Sequence, residues 1–186
     1  MLTRVCVAAL LAVAATALLA APASAKTKTK TYSSGPIHAP IIDNTFNLYP
    51  LRAKGKGKIR DVNVAVRITH PFDRDLDIYL VSPRAKFVQL SSDNGGSNND
   101  YGSGAADCTG AFTVFDDLGT IPINAGRPSA AAPFAGTFKP EQPLASFNGA
   151  KAKGTWQLLV SDDEPRDVGT MDCWELTIAS KKKKKK

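Results

Sequence analysis

Alternation of apolar and polar residues with a period of two, broken at short intervals by proline and glycine, constrains this chain more than any other feature. Val62, Val64, Val66 and Ile68 alternate with polar or small residues, as in a strand with one buried face. Pro71 ends that strand, because proline has no N–H to give a ladder. Leu76, Ile78 and Leu80 alternate again, Ser82-Pro83-Arg84-Ala85 makes a turn, and residues 87–90 return as the second arm of a hairpin. Residues 94–104, rich in Gly, Asn and Ser, read as an irregular loop. An extended run resumes at 112–115. Residues 121–143 contain five prolines and two glycines, too many breakers for a helix of useful length. Trp156, Leu158 and Val160 alternate, residues 161–169 form a polar turn, and Trp174, Leu176 and Ile178 make a closing strand. Short strands separated by such turns, with no helical period after residue 25, predict an all-β sandwich or jelly roll. Trp156 and Trp174 fall on buried faces, which assigns them to the core rather than to sugar stacking.

The ends of the chain differ in texture from this middle. Residues 1–25 combine Arg4, an apolar run from Val5 to Leu19 and a small-x-small Ala23-Ser24-Ala25, the grammar of a cleaved secretory signal peptide. The apolar run is short for a membrane span, and no later stretch could cross a bilayer. Residues 26–35, a Lys/Thr/Ser stretch, read as a flexible linker. Cleavage leaves Cys108 and Cys173. In an oxidising compartment an even pair reads as a disulfide. The chain carries 24 Lys and Arg against 17 Asp and Glu. Setting aside Arg4, Lys26, Lys28, Lys30 and the lysines at 181–186 leaves 14 cations and 17 anions between residues 31 and 180. The basicity therefore lies in the tails, and a nucleic-acid-binding face on the domain is disfavoured. Residues 181–186 read as a disordered poly-lysine tail. Two readings of it stay open: a solubility or cloning addition, or a tether to an anionic polymer, lipid headgroup or nucleic acid.

Several segments resemble one known family in order. Ile68-Thr69-His70 precedes Asp75-Leu76-Asp77-Ile78-Tyr79-Leu80-Val81-Ser82-Pro83. Then come Gly95-Gly96-Ser97, Thr113-Val114-Phe115-Asp116-Asp117 and Pro133-Phe134-Ala135-Gly136-Thr137-Phe138-Lys139-Pro140. Leu144 to Gly149, Gly154-Thr155-Trp156-Gln157-Leu158, and Asp167-Val168-Gly169-Thr170 with Trp174-Glu175-Leu176-Thr177-Ile178 complete the series. Together they resemble the P (Homo B) domain of subtilisin-like and kexin-type proprotein convertases, over about residues 36–180. Arg166 stands where that family usually has glycine. The resemblance implies a galactose-binding-domain-like jelly roll. It also implies an accessory role beside a subtilisin-like protease, which such domains stabilise and tune in pH and calcium dependence.

Catalysis by this chain is not expected. A subtilisin-type triad needs Asp, His and Ser segments spread over a far longer chain, and no G-x-S-x-G elbow is present. Its histidines are His38, in the lead-in, and His70, read as a structural residue bonding a loop. Three groups of carboxylates are candidate calcium ligands: Asp73, Asp75 and Asp77; Asp116 and Asp117; and Asp162, Asp163 and Asp167, with Glu164 beside them. Calcium takes six to eight oxygens from such loops, and the resemblance adds weight. Ile78 stands where an EF-hand needs glycine, and acceptance of turn N–H groups explains the same aspartates equally well. The expectation is a secreted or envelope-associated non-catalytic module whose partner is a protease in trans or a cell-surface polymer. The alternatives are a serine endopeptidase, and a structural or glycan-binding envelope protein.

Overall fold

The computed structural model describes residues 26–104, 107–126 and 130–181. The expected signal peptide and lysines 182–186 lie outside these. Among the described residues eleven strands form two sheets, with three short 3₁₀ turns and no helix long and apolar enough to cross a membrane. The strands are β1 (Thr27–Ser33), β2 (Ala39–Ile41), β3 (Thr45–Ala53), β4 (Lys58–Thr69), β5 (Leu76–Val81), β6 (Phe87–Ser92), β7 (Thr113–Phe115), β8 (Ile121–Pro122), β9 (Gly136–Lys139), β10 (Gly154–Asp162) and β11 (Gly169–Lys181). The larger sheet runs β1-β11-β4-β7-β9-β8, with β2 also on β11; the smaller runs β3-β10-β5-β6. All pairings are antiparallel except β7–β9 and β8–β9.

The alternating positions do what their period demands. Val62, Val64, Val66 and Ile68 of β4 and Trp174, Leu176 and Ile178 of β11 turn inward from the larger sheet. Leu76, Ile78, Leu80, Trp156, Leu158 and Val160 meet them from the smaller one, all essentially without exposure. Trp156 packs edge-on against Phe147, ring centroids 5.1 Å apart, and its indole N–H donates to the Ala152 carbonyl at 3.0 Å. A buried aromatic with its polar handle satisfied is a core residue.

Two boundaries are corrected: Lys181, read as the start of the lysine tail, ends β11 and pairs with Thr27 and Lys58, and the linker is partly strand. Residues 27–33 are not a linker but edge strand β1, paired with β11 from Thr27 opposite Lys181 to Ser33 opposite Glu175. The lysines and threonines of this stretch point into solvent, while Tyr32 is buried and carries the strand's attachment to the core. Edge strands accept such charged composition because only one side of the ladder is paired.

The disulfide forms between Cys108 and Cys173, with Cα atoms 6.1 Å apart, closing 65 residues of sequence. The register of β11 against β4 shifts between Met171 and Cys173. This bulge sets Cys173 opposite Arg67, between the inward-facing Met171 and Trp174. Arg67 donates to the Thr109 carbonyl at 2.6 Å and the Gly104 carbonyl at 2.8 Å. Sulfur bridge and guanidinium together fasten the 102–110 loop to the larger sheet.

Candidate functional site

The strand ends around Thr69, Asp162 and Gly169 gather most of the titratable residues singled out by sequence. His70 is fully buried and is held on all sides. Its Nε2 lies 3.2 Å from Asp162 Oδ2, and its Nδ1 meets the Phe72 backbone, 2.9 Å from the carbonyl and 3.2 Å from the amide. The His70 amide donates to Asp100 Oδ1 at 3.0 Å. Gly169 passes directly over the ring: a Cβ there would lie 2.5 Å from His70 Cδ2. With both ring nitrogens engaged and no access for substrate, His70 cannot serve as a general base. The ring braces Asp162 and the Phe72 backbone, while the His70 backbone pairs with Asp100 of the 94–104 loop.

Asp162 departs from its expected place. It ends β10, wholly buried beneath His70, rather than lying in the polar turn beyond. Burial pushes its carboxyl up to about 6 despite the opposing pull of His70, with Asp43 and Asp75 adding to the rise. Asp73 is more extreme. Both its oxygens are buried without a hydrogen-bond partner, beside Gly95 and the Phe134 ring. Burial first, then the charge of Asp100, raises it to about 8; only the Asp100 amide, whose own acceptor is the His70 carbonyl at 3.2 Å, pulls the other way.

The remaining aspartates do not join them in one shell. Asp116 accepts from Asn63 at 2.8 Å and from the Leu118 amide at 2.8 Å. Asp117 accepts from the Leu144 and Ala145 amides at 2.8 and 2.7 Å, closing a 3₁₀ turn. Both are turn acceptors, at a distance in the fold from His70. Asp77 sits on the outer side of β5 near the Tyr79 hydroxyl at 3.4 Å. Asp75, Asp163 and Asp167 line an open cleft of about 410 Å³ with Asp93, Glu164, Arg74 and Arg166. Among the described residues no three His, Cys, Asp or Glu side chains converge on a metal-holding geometry. The eight aspartates thus do not form one shell; Asp73 has both carboxylate oxygens buried without a partner, and Asp77 and Asp162 one each.

The two sheets present unlike outer faces. That of the larger sheet carries Asp61, Asn63, Glu175 and Thr177 between its buried positions. On the smaller sheet Leu48, Leu159 and Tyr79 lie side by side across β3, β10 and β5. Phe46 and Phe87 flank this row, 71% and 54% exposed, and Leu48 is 53% exposed. An antiparallel sheet with one solvated face normally shows polar residues there; here Leu48, Leu159 and Tyr79 make an apolar row.

The described residues form an all-β sandwich, stapled once, with His70 fully buried. The sequence profile of the proprotein convertase P-domain matches residues 59–116 and 124–178, and the chain belongs to that family. It is a family of non-catalytic accessory domains. The chain is 30% identical over 117 residues to the "transglutaminase-activating metalloprotease" of Streptomyces mobaraensis, 63% of this chain but 10% of that protein. It superposes on the Aeromonas sobria serine protease, solved with its chaperone, with a TM-score of 0.53 at 16% identity, over 85% of this chain and 28% of that one. A second structure of that protease gives 0.52 at 19%, over 83% and 27%. The chain thus spans a tenth of the curated relative and little more than a quarter of the solved protease chains.

Proposed function

We propose that this chain is a secreted, non-catalytic module that docks on a protease and stabilises it, using the outer face of the smaller sheet. The apolar row of Leu48, Leu159 and Tyr79, flanked by Phe46 and Phe87, carries this reading. Family membership supports a protease as the occupant, since the matched regions of its relatives lie in chains named as proteases. The export-type segment at 1–25 supports secretion. Purified chain should hydrolyse neither casein nor peptides and should not react with a serine-directed fluorophosphonate. It should slow the thermal inactivation of a subtilisin-type protease from the same source, and Leu48→Ser with Leu159→Ser should abolish that protection. Labelling at one serine, lost on its change to alanine, would sink the non-catalytic reading; protection that survives the double substitution would sink the docking face.

A calcium role, proposed from the family resemblance, centres on Asp73 because its carboxylate oxygens are buried and unpartnered. Calcium should then raise the melting temperature of the parent chain but not that of Asp73→Asn. An equal response of both would remove Asp73 as a ligand.

A further inference from the structure

The strand ends opposite His70 hold a cleft that no part of the function above uses. Register brings together lysines far apart in sequence. In the β1–β11 ladder Lys28 pairs with Ser180 and Thr27 with Lys181; in the β4–β11 ladder Lys58 pairs with Lys181; and an isolated bridge joins Lys58 to Lys151. The link from β3 to β4 adds Lys54 and Lys56. A cleft of about 220 Å³ opens among Lys28, Lys30, Lys54 and Lys56, floored by Tyr32, Gly55 and Ala152. No carboxylate among the described residues pairs with any of these four lysines. Tyr32 is 9% exposed, and its hydroxyl has no hydrogen-bond partner. Lys30 Nζ stands 5.2 Å from its ring centroid. Gly55 passes close to that hydroxyl: a Cβ there would lie 2.7 Å from it.

We propose that this cleft binds the phosphate groups of a soluble anionic polymer. Uncompensated lysines in a concavity focus an anion-attracting field, and the ammonium group is a recognised phosphate donor. An unpaired buried hydroxyl in the wall supplies a further donor and lacks a partner until an acceptor arrives. The volume lies below the roughly 300–1,000 Å³ of sites for drug-sized ligands, which suits one phosphate at a time. Charge continues outside the cleft at Lys58 and Lys151, so more than one phosphate of a chain can be engaged together. A lipid surface fits less well. Interfacial binding combines basic residues with inserted apolar side chains, and none of the exposed large hydrophobic residues lines this cleft.

Fluorescently labelled inorganic polyphosphate, titrated with the full chain at low ionic strength, tests this by anisotropy. The parent should bind, and binding should weaken as salt rises. Lys54→Gln with Lys56→Gln should weaken it about tenfold. Tyr32→Phe should also weaken it without lowering the melting temperature, since the hydroxyl has no partner to lose. Arg84→Gln with Lys139→Gln removes the same charge elsewhere and should leave affinity nearly intact. The proposal is overturned if the two charge pairs lose equal affinity, if binding follows only lysines 182–186, or if anionic phospholipid vesicles bind while polyphosphate does not.

Discussion

The two ends of this sandwich handle charge in opposite ways. At the His70 end, ionisable groups are drawn inside and most of them meet one another or backbone, Asp162 with His70 and Arg67 with two loop carbonyls, while Asp73 is buried without a partner. At the other end, Lys28, Lys30, Lys54 and Lys56 surround a cleft with no carboxylate partner among the described residues. Buried charge without good partners is costly, and removing one partner of a buried pair is costlier still. Exposed lysines contribute little to stability. The first end is therefore built to hold the fold together, and the second is free to meet something outside it.

This contrast can be broken most forcefully at the disulfide. Cys173→Ser opens a 65-residue loop, which the chain-entropy account values at about 4 kcal/mol. Denaturant unfolding with and without reductant reads it; parent and variant unfolding alike in oxidising buffer would show that the bridge contributes nothing. His70→Ala should cost about 3 kcal/mol, because it strips Asp162 and the Phe72 backbone of their partner and leaves a cavity. Asp73 has the opposite sign. Its carboxyl is raised to about 8 from an unfolded value near 3.8. The folded state thus keeps a proton that the unfolded state has already released between those values, and stability falls as pH rises through that window. Asp73→Asn should therefore gain on the order of 2 kcal/mol at pH 8 in chelator-treated buffer, and nothing near pH 3. A gain independent of pH would point to another cause.

The smallest expected change sharpens the comparison through the backbone. Arg166 has φ 105°, a region that an L side chain tolerates poorly and glycine adopts freely. It stands where the family usually has glycine. Arg166→Gly should stabilise by about 1 kcal/mol, measured by the shift in denaturant midpoint. Destabilisation instead would show that the Arg166 side chain is needed in the acidic cleft it helps to line.

Much of the fold was legible in the residues because one face of each long strand is buried. The period of β4, β5, β10 and β11 survives intact from sequence to structure, as does the cysteine pairing. Among the strands that escaped, β1 and β3 did so for opposite reasons. In β3, Phe46, Leu48 and Pro50 are apolar on the outer face while Tyr49 and Ala53 are buried on the inner one, so both phases are hydrophobic and the alternation vanishes. That doubled pattern is itself the signal of the apolar outer face. In β1 only Tyr32 is buried, so composition reads as linker even though every residue is paired with β11. The same misreading hid the basic cleft. Lys28 and Lys30, assigned to a linker, lie on β1 beside Lys54 and Lys56 of the β3–β4 link, a neighbourhood invisible in linear sequence. Asp162 was misplaced for a related reason, since neighbours in an acidic run look alike until the strand's pleat sends one inward.

The most direct measurement compares the two ends in one experiment. Melting temperatures of His70→Ala and of Lys54→Gln with Lys56→Gln are read side by side in low-salt buffer without polyanion. At about 3 °C per kcal/mol for a domain of this size, the histidine variant should lose several degrees. The lysine variant should hold the parent's value or rise above it as mutual repulsion is relieved. A lysine variant that melts early, with a histidine variant unchanged, would mean that the roles of the two ends have been assigned the wrong way round.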